Sequence, residues 1–135
     1  MKVMVSGNFD PFHYAHLNFI KKASELGDFL ICIVSSDKQV MMKKGKVNEP
    51  ERYRAEIVGL ILNGLGIKNQ VLVNYLDKET TLVERELNSL RPDIFCRGTD
   101  KSIEDMPPKE RQVCDGLGIE IVHIKGIQVH GRDFV

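Results

Sequence analysis

The stretch Gly7-Asn8-Phe9-Asp10-Pro11-Phe12-His13-Tyr14-Ala15-His16 decides how the rest of the chain is read. It follows the apolar run Val3-Met4-Val5, short enough for a buried strand, and precedes the helical spacing Leu17, Phe19, Ile20, Ala23, Leu26. A strand that ends in glycine, turns and opens a helix gathers backbone N–H groups and the positive end of the helix dipole at one point. Such a point holds anions. His13 and His16, three residues apart, project from neighbouring positions on one helix face, beside any phosphate held there. Each feature alone is ordinary, since strand–Gly–helix junctions occur throughout α/β domains and a histidine at a helix start usually caps it or meets solvent. Their combination points to phosphate chemistry.

Outward from this stretch, the first helix is expected over Tyr14 to Leu26, with Gly27 at C′. Phe29-Leu30-Ile31-Cys32-Ile33-Val34 shows no alternation, as expected of a parallel strand buried on both faces, so strand–helix–strand reads as a βαβ unit. Ser35, Ser36 and Asp37 then fall at the carboxyl end of the second strand, the edge at which open α/β sheets bind ligands. Lys38 and Met41-Met42-Lys43-Lys44-Gly45-Lys46 read as a polar, basic loop leaving the same edge, able to fold ammonium groups over a polyphosphate. A lysine cluster in a loop is otherwise a solvated surface feature.

A second helix is expected with Asn48 as its cap, Pro50 in its first turn and an apolar stripe of Tyr53, Ile57, Leu60 and Ile61. Val71-Leu72-Val73 reads as a third strand, and Glu79 to Leu90 as a helix capped by Thr80 or Asp77 and broken at Arg91-Pro92. Asp93-Ile94-Phe95-Cys96 is a fourth strand ending in the turn Arg97-Gly98-Thr99-Asp100, where Gly98 and Asp100 could also serve only as turn and cap. A helix from Lys109 to about Gly116 and a strand from Ile119 to Ile124 follow, with His123 near the strand end able to point into a site, though such a residue is more often on the strand surface. The fold class is α/β: a single Rossmann-like three-layer domain over residues 1–135 with a mostly parallel five-stranded sheet.

Composition narrows the function. At 135 residues the chain is expected to form one domain with a core that needs no staples. Lys plus Arg equal Asp plus Glu at 19 each, so no global field draws in nucleic acid or an anionic membrane. Cys32, Cys96 and Cys114 lack metal-ligand spacing and read as buried free thiols in a reducing cytoplasm. The N-terminus carries no apolar run long enough for a signal peptide or membrane span, and a cytoplasmic protein is expected.

The pattern Gly7-x-Phe9-Asp10-x-x-His13-x-x-His16 resembles the Gly-x-Phe-Asp-x-x-His-x-Gly-His signature of the cytidylyltransferase-like nucleotidyltransferases. Glycerol-3-phosphate cytidylyltransferase and the heptose-1-phosphate adenylyltransferase domain belong to that family. Ala15 replaces its glycine, and Asn69 stands where relatives often carry Asp. Arg97-Gly98-x-Asp100 resembles the family's Lys-Gly-Gly-Asp or Gly-Asp-Asp element, which lies opposite the histidine motif across the nucleotide. The likeness fades at the end: only Gly126-Ile127 remain of the Arg-Thr-x-Gly-Ile-Ser-Thr-Ser pattern, with Lys125, His130 or Arg132 available as replacement charge.

The resemblance implies a reaction in which a phosphate oxygen of a small acceptor attacks the α-phosphate of a nucleoside triphosphate and releases pyrophosphate. His13 and His16 would hydrogen-bond the reacting phosphate, and Lys43 and Lys46, with Lys44 as rival, would neutralise its charge. Gly7, Asn8, Phe9, Asp10, Asp37, Arg54, Arg97, Gly98, Asp100 and Ile127 are the expected nucleotide-binding residues; Arg52 has no family counterpart. Mg²⁺ would bridge the β- and γ-oxygens, with Asp10 orienting its waters or, alternatively, fixing the turn. CMP transfer from CTP to a phosphorylated alcohol is placed first. Adenylyl transfer from ATP to a sugar 1-phosphate is the alternative, which Arg97-Gly98-x-Asp100 followed by Met106-Pro107-Pro108-Lys109-Glu110 resembles more closely. A non-catalytic nucleotide-binding module is the third reading. Relatives are often homodimers, but no diagnostic interface stripe stands out.

Overall fold

Val3, Met4 and Val5 are fully buried because β1 (Lys2–Gly7) is the middle strand of the sheet. The computed structural model describes residues 1–98 and 106–125. After β1 come α1 (Tyr14–Ser24), β2 (Phe29–Val34), α2 (Asp37–Lys44), α3 (Glu51–Gly64), β3 (Asn69–Val73), α4 (Glu84–Leu90), β4 (Ile94–Gly98), α5 (Pro108–Leu117) and β5 (Glu120–Ile124). The sheet runs β3-β2-β1-β4-β5 and every pairing is parallel. The chain therefore winds outward from β1 in one direction and then returns to its other side. That reversal opens a crevice at the carboxyl ends of β1 and β4.

Alternate residues feed two cores, as the strand period requires. Val3, Val5, Cys32 and Cys96 pack with Ile20 and Ala23 of α1 and Val58 and Leu62 of α3 on one face. Met4, Ile31, Ile33 and Phe95 pack with Leu87 of α4 and Cys114 of α5 on the other. Each aliphatic side chain buried in these layers stabilises the fold by about 1.5–3 kcal/mol. The three cysteines are free and buried, and burial pushes the thiols of Cys96 and Cys114 up to about 12 and 11. No helix among the described residues is long and apolar enough to cross a membrane.

Several local expectations are corrected. The expected loop after Asp37 is the helix α2, because Ser36 and Gln39 form a reciprocal capping box and Gly45 ends the helix in the left-handed region at φ 77°. Helix α1 stops at Ser24, and Gly27 is not a left-handed cap; a Cβ there would lie 2.5 Å from the Met1 carbonyl oxygen, so its role is close packing. Helix α3 is preceded by Pro50 at its N-cap, and Asn48 does not cap it. Its buried stripe is Arg54, Val58 and Leu62, one position on from the expected Tyr53, Ile57 and Ile61, and Leu60 is 66% exposed. Helix α4 begins at Glu84 rather than Glu79, because the carbonyls of Asp77, Thr80 and Leu82 are drawn to the Gln39 side chain instead. Asp77 still acts as a cap from outside the helix, accepting the Arg85 N–H at 3.0 Å.

Candidate active site

The two histidines form the start of α1. His13 is its N-cap, with Nδ1 accepting the Ala15 N–H at 3.2 Å, while Nδ1 of His16 accepts the His13 N–H at 3.1 Å. The rings stack with centroids 3.8 Å apart and planes 16° from parallel. An imidazole nitrogen that accepts a hydrogen bond carries no proton, so each neutral ring bears its proton on Nε2. Both Nε2–H groups are thereby left for a ligand. Burial, then His13, then Lys44 lower the His16 pKa to about 4, and burial and Lys44 also lower that of His13. At neutral pH the pair is uncharged.

Phe9 supports this arrangement from below. Its backbone is in the left-handed region at φ 51°, at a steric cost of about 1–2 kcal/mol, and its buried ring meets the His16 ring edge-to-face at 5.2 Å. The ring fills the space above Gly7, where a Cβ would lie 2.8 Å from Phe9 Cζ. Gly7 is thus required by Phe9, an internal contact that the sequence reading did not anticipate.

The carboxyl end of α2 brings lysines to the same edge. Lys43 Nζ donates to Asn8 Oδ1 at 3.2 Å, and Lys44 is the cation whose charge reaches both histidines. Lys46 is exposed beyond Gly45. Lys43 and Lys44 are exposed as well, and of the three lysines it is the charge of Lys44 that lowers the pKa of both histidines.

On the other side of the β1 terminus lies a cleft of 360 Å³ lined by Ser6, Ser35, Lys43, Val83, Arg97 and Glu110, among others. Ser6 faces it, while its neighbour Gly7 faces the Phe9 ring on the opposite side of the sheet. The wall at Leu82 and Val83 is held from three directions. Gln39 Nε2 donates to the carbonyls of Asp77, Thr80 and Leu82 at 3.2, 3.0 and 3.0 Å, Asn74 Nδ2 reaches the Leu82 carbonyl at 3.0 Å, and Glu110 Oε2 accepts the Val83 N–H at 2.9 Å. Burial raises the Glu110 pKa against the opposing pull of the Val83 N–H, Arg97 and Lys43. Among the described residues, Arg97 Nη1 is buried with no hydrogen-bond partner, as are both ring nitrogens of its register neighbour His123. His123 is half-buried rather than a surface residue.

The sequence profile of the cytidylyltransferase-like family matches residues 4–129. The chain belongs to that family of nucleotidyltransferases. It is 33% identical over 127 residues to the FAD synthase of Pyrococcus abyssi, a match covering 92% of this chain and 80% of the other. It is 32% identical over 123 residues to the bifunctional protein HldE of Shewanella sediminis, covering 89% of this chain but 24% of that longer protein. Among solved structures, the lipopolysaccharide core biosynthesis protein of Thermoplasma volcanium superposes with a TM-score of 0.70 at 25% identity, covering 95% of this chain and 98% of its own.

Not every expected nucleotide-binding residue of this cytidylyltransferase-like domain points outward. Arg54, 1% exposed, donates through Nη1 to the carbonyls of Asn8 and Ser35 at 2.7 Å each, through Nε to that of Glu49 at 2.8 Å and through Nη2 to Asp37 Oδ1 at 2.8 Å. It joins four chain segments at the edge of the site, so both Arg54 and Asp37 are structural struts here. Asp10 is 3% exposed, and its two carboxylate oxygens accept the N–H groups of Asn48 and Glu49 at 2.8 and 2.7 Å. A buried carboxylate held in this way fixes the turn and does not fit the expected role at Mg²⁺. The described residues contain no group of three His, Cys, Asp or Glu spaced to hold a metal.

Asp100 and Ile127 lie outside the described residues, as do His130 and Arg132, while Lys125 is exposed and its carbonyl accepts Lys22 Nζ at 3.0 Å. Gly98 and Arg97 line the cleft. The sequence reading missed Gln39 and Glu110. A signal existed for each: Ser36-x-x-Gln39 has capping-box spacing, and Glu110, Cys114 and Leu117 share one helical face.

Proposed function

We propose that this domain transfers an adenylyl group from ATP to a phosphomonoester, with release of pyrophosphate. The observation that carries the reading is the histidine box, which presents two neutral Nε2–H donors next to Lys44 at a carboxyl sheet edge. ATP is preferred over CTP, which the sequence reading placed first, because FAD is a flavin mononucleotide bearing an adenylyl group and relatives named for its synthesis match over most of the chain.

In this reading an oxygen of the acceptor phosphate forms a bond to the α-phosphorus as the bond to the pyrophosphate oxygen breaks. No covalent enzyme intermediate forms, and an ionised phosphate needs no base. The domain contributes alignment and charge stabilisation. His13 and His16 donate to non-bridging oxygens as their charge grows, and Lys43 and Lys44 neutralise the polyphosphate. The cleft behind Lys43 takes the acceptor, with Arg97 directed at its phosphate. Mg²⁺ bound with ATP would supply neutralisation of the triphosphate charge, and Asp10, whose two oxygens accept backbone N–H groups, would not be among the residues that hold it.

Pyrophosphate release with ATP or CTP and a set of phosphomonoesters tests the proposal. ATP should exceed CTP, and His16→Ala should lower kcat by roughly 10²–10³-fold, the usual cost of removing a donor of this type. Faster turnover of CTP would overturn the choice of base, and unchanged turnover in His16→Ala would overturn the mechanism.

A further inference from the structure

We infer that Glu110 determines which acceptor this site takes: its carboxylate receives a hydroxyl of the bound phosphomonoester and turns away acceptors that carry a second anionic group there. The inference rests on the transferase reading for the word acceptor, but its geometry is independent of that reading. Arg97 and Glu110 both line the cleft, and the Arg97 charge opposes the rise that burial gives the Glu110 pKa, yet the two form no ion pair. Arg97 Nη1 is buried and has no hydrogen-bond partner among the described residues. Glu110, only 6% exposed, has Oε2 held by the Val83 N–H, which leaves Oε1 as the acceptor for the cleft.

A guanidinium N–H and a carboxylate oxygen that share a cleft without touching specify a ligand by its two ends. A buried donor without a partner is costly, so the arrangement favours a ligand that offers an anion to Arg97 and an O–H to Glu110. A phosphate with a nearby hydroxylated carbon meets both conditions. A ligand that sets a carboxylate where Glu110 would meet the hydroxyl satisfies only the first, and brings like charge against a carboxylate that burial leaves poorly screened. Selectivity of this kind arises as much from repelling the wrong ligand as from holding the right one.

Glu110→Gln separates this role from the structural one, since the amide keeps an oxygen for the Val83 N–H and presents an N–H₂ to the cleft. Glycerol 3-phosphate and 3-phosphoglycerate share a phosphate and a hydroxyl and differ only in a terminal hydroxymethyl or carboxylate. Titration calorimetry should show the wild type binding the first about tenfold more tightly, and Glu110→Gln erasing or reversing that preference. Arg97→Ala should weaken both probes alike. Circular dichroism and the unliganded melting point verify that Glu110→Gln is folded. An unchanged preference in the folded variant, or failure of both probes to bind the wild type at millimolar concentration, would overturn the inference. Pyrophosphate release assayed on the same proteins keeps the two ideas apart: a reversed preference without any release upholds Glu110 and removes the transferase reading.

Discussion

Arg54 Nη2 donates to Asp37 Oδ1 at 2.8 Å, and the guanidinium end of this pair is buried while the carboxylate end is part-exposed. The pair ties the first turn of α2 to the buried face of α3, and the remaining Arg54 bonds reach the Glu49 carbonyl just before α3 and the turns after β1 and β2. Removing one partner of a buried, hydrogen-bonded ion pair commonly costs about 3–5 kcal/mol. Arg54→Met should therefore lower the denaturation midpoint severely, and Arg54→Lys should recover little, because an ammonium cannot fork to four acceptors. Urea denaturation of the three proteins checks this.

Asp10 separates a structural carboxylate from a metal-directed one. Asp10→Asn keeps one oxygen but sets an N–H₂ against a backbone N–H at Asn48 or Glu49. Leaving such a buried donor without an acceptor costs about 1–3 kcal/mol. The variant should melt at lower temperature, and excess Mg²⁺ should not restore its activity. Recovery of turnover on raising Mg²⁺ would return Asp10 to the metal.

Lys44 and Lys46 differ in what they reach. Lys44→Ala should raise the pKa of both His13 and His16, since Lys44 is among the causes that lower each. Lys46→Ala should leave both titrations in place. Proton NMR of the histidine ring protons distinguishes the two variants, and kcat/KM for ATP should fall further in Lys44→Ala.

Acid should attack the histidine box. The His16 pKa falls from its ordinary 6.5 to about 4 on folding, so the unfolded chain takes up its proton first. Stability linked to His16 is therefore complete above about pH 6.5 and is lost as the pH falls toward 4. A protonated Nδ1 can no longer accept the His13 N–H, so the loss includes the cap of α1. Melting temperatures measured from pH 7.5 to 4 should decline through this window in the wild type and more shallowly in His16→Ala.

Much of the architecture was legible because it follows from runs and periods. The unbroken Phe29–Val34 run reads as a two-faced buried strand and is one. The α3 face was misread for a definite reason: hydrophobic periodicity assigns a stripe to apolar residues, whereas here a guanidinium occupies the core position and Tyr53, Ile57 and Leu60 are displaced outward. Helix α2 was hidden by its polarity, although its capping box was present in the letters. The partners of the histidines were not legible. Nothing in the order of residues tells that two imidazoles will each accept a backbone N–H, and without that fact neither tautomer nor charge can be assigned. Glu110 is harder still, since its meaning as a residue of α5 depends on Arg97, contributed by strand β4.

The side chain of Gln39 has a further consequence. It rises from the same short helix that carries Lys43 and Lys44, and its amide is bonded to three carbonyls of the opposite wall. One carboxamide thus works as a tie rod between the part of the site assigned to polyphosphate and the part assigned to the acceptor. Tilting α2 toward a bound triphosphate would pull residues 77–82 with it and change the width of the cleft, so the two substrates would sense one another through a single residue that touches neither.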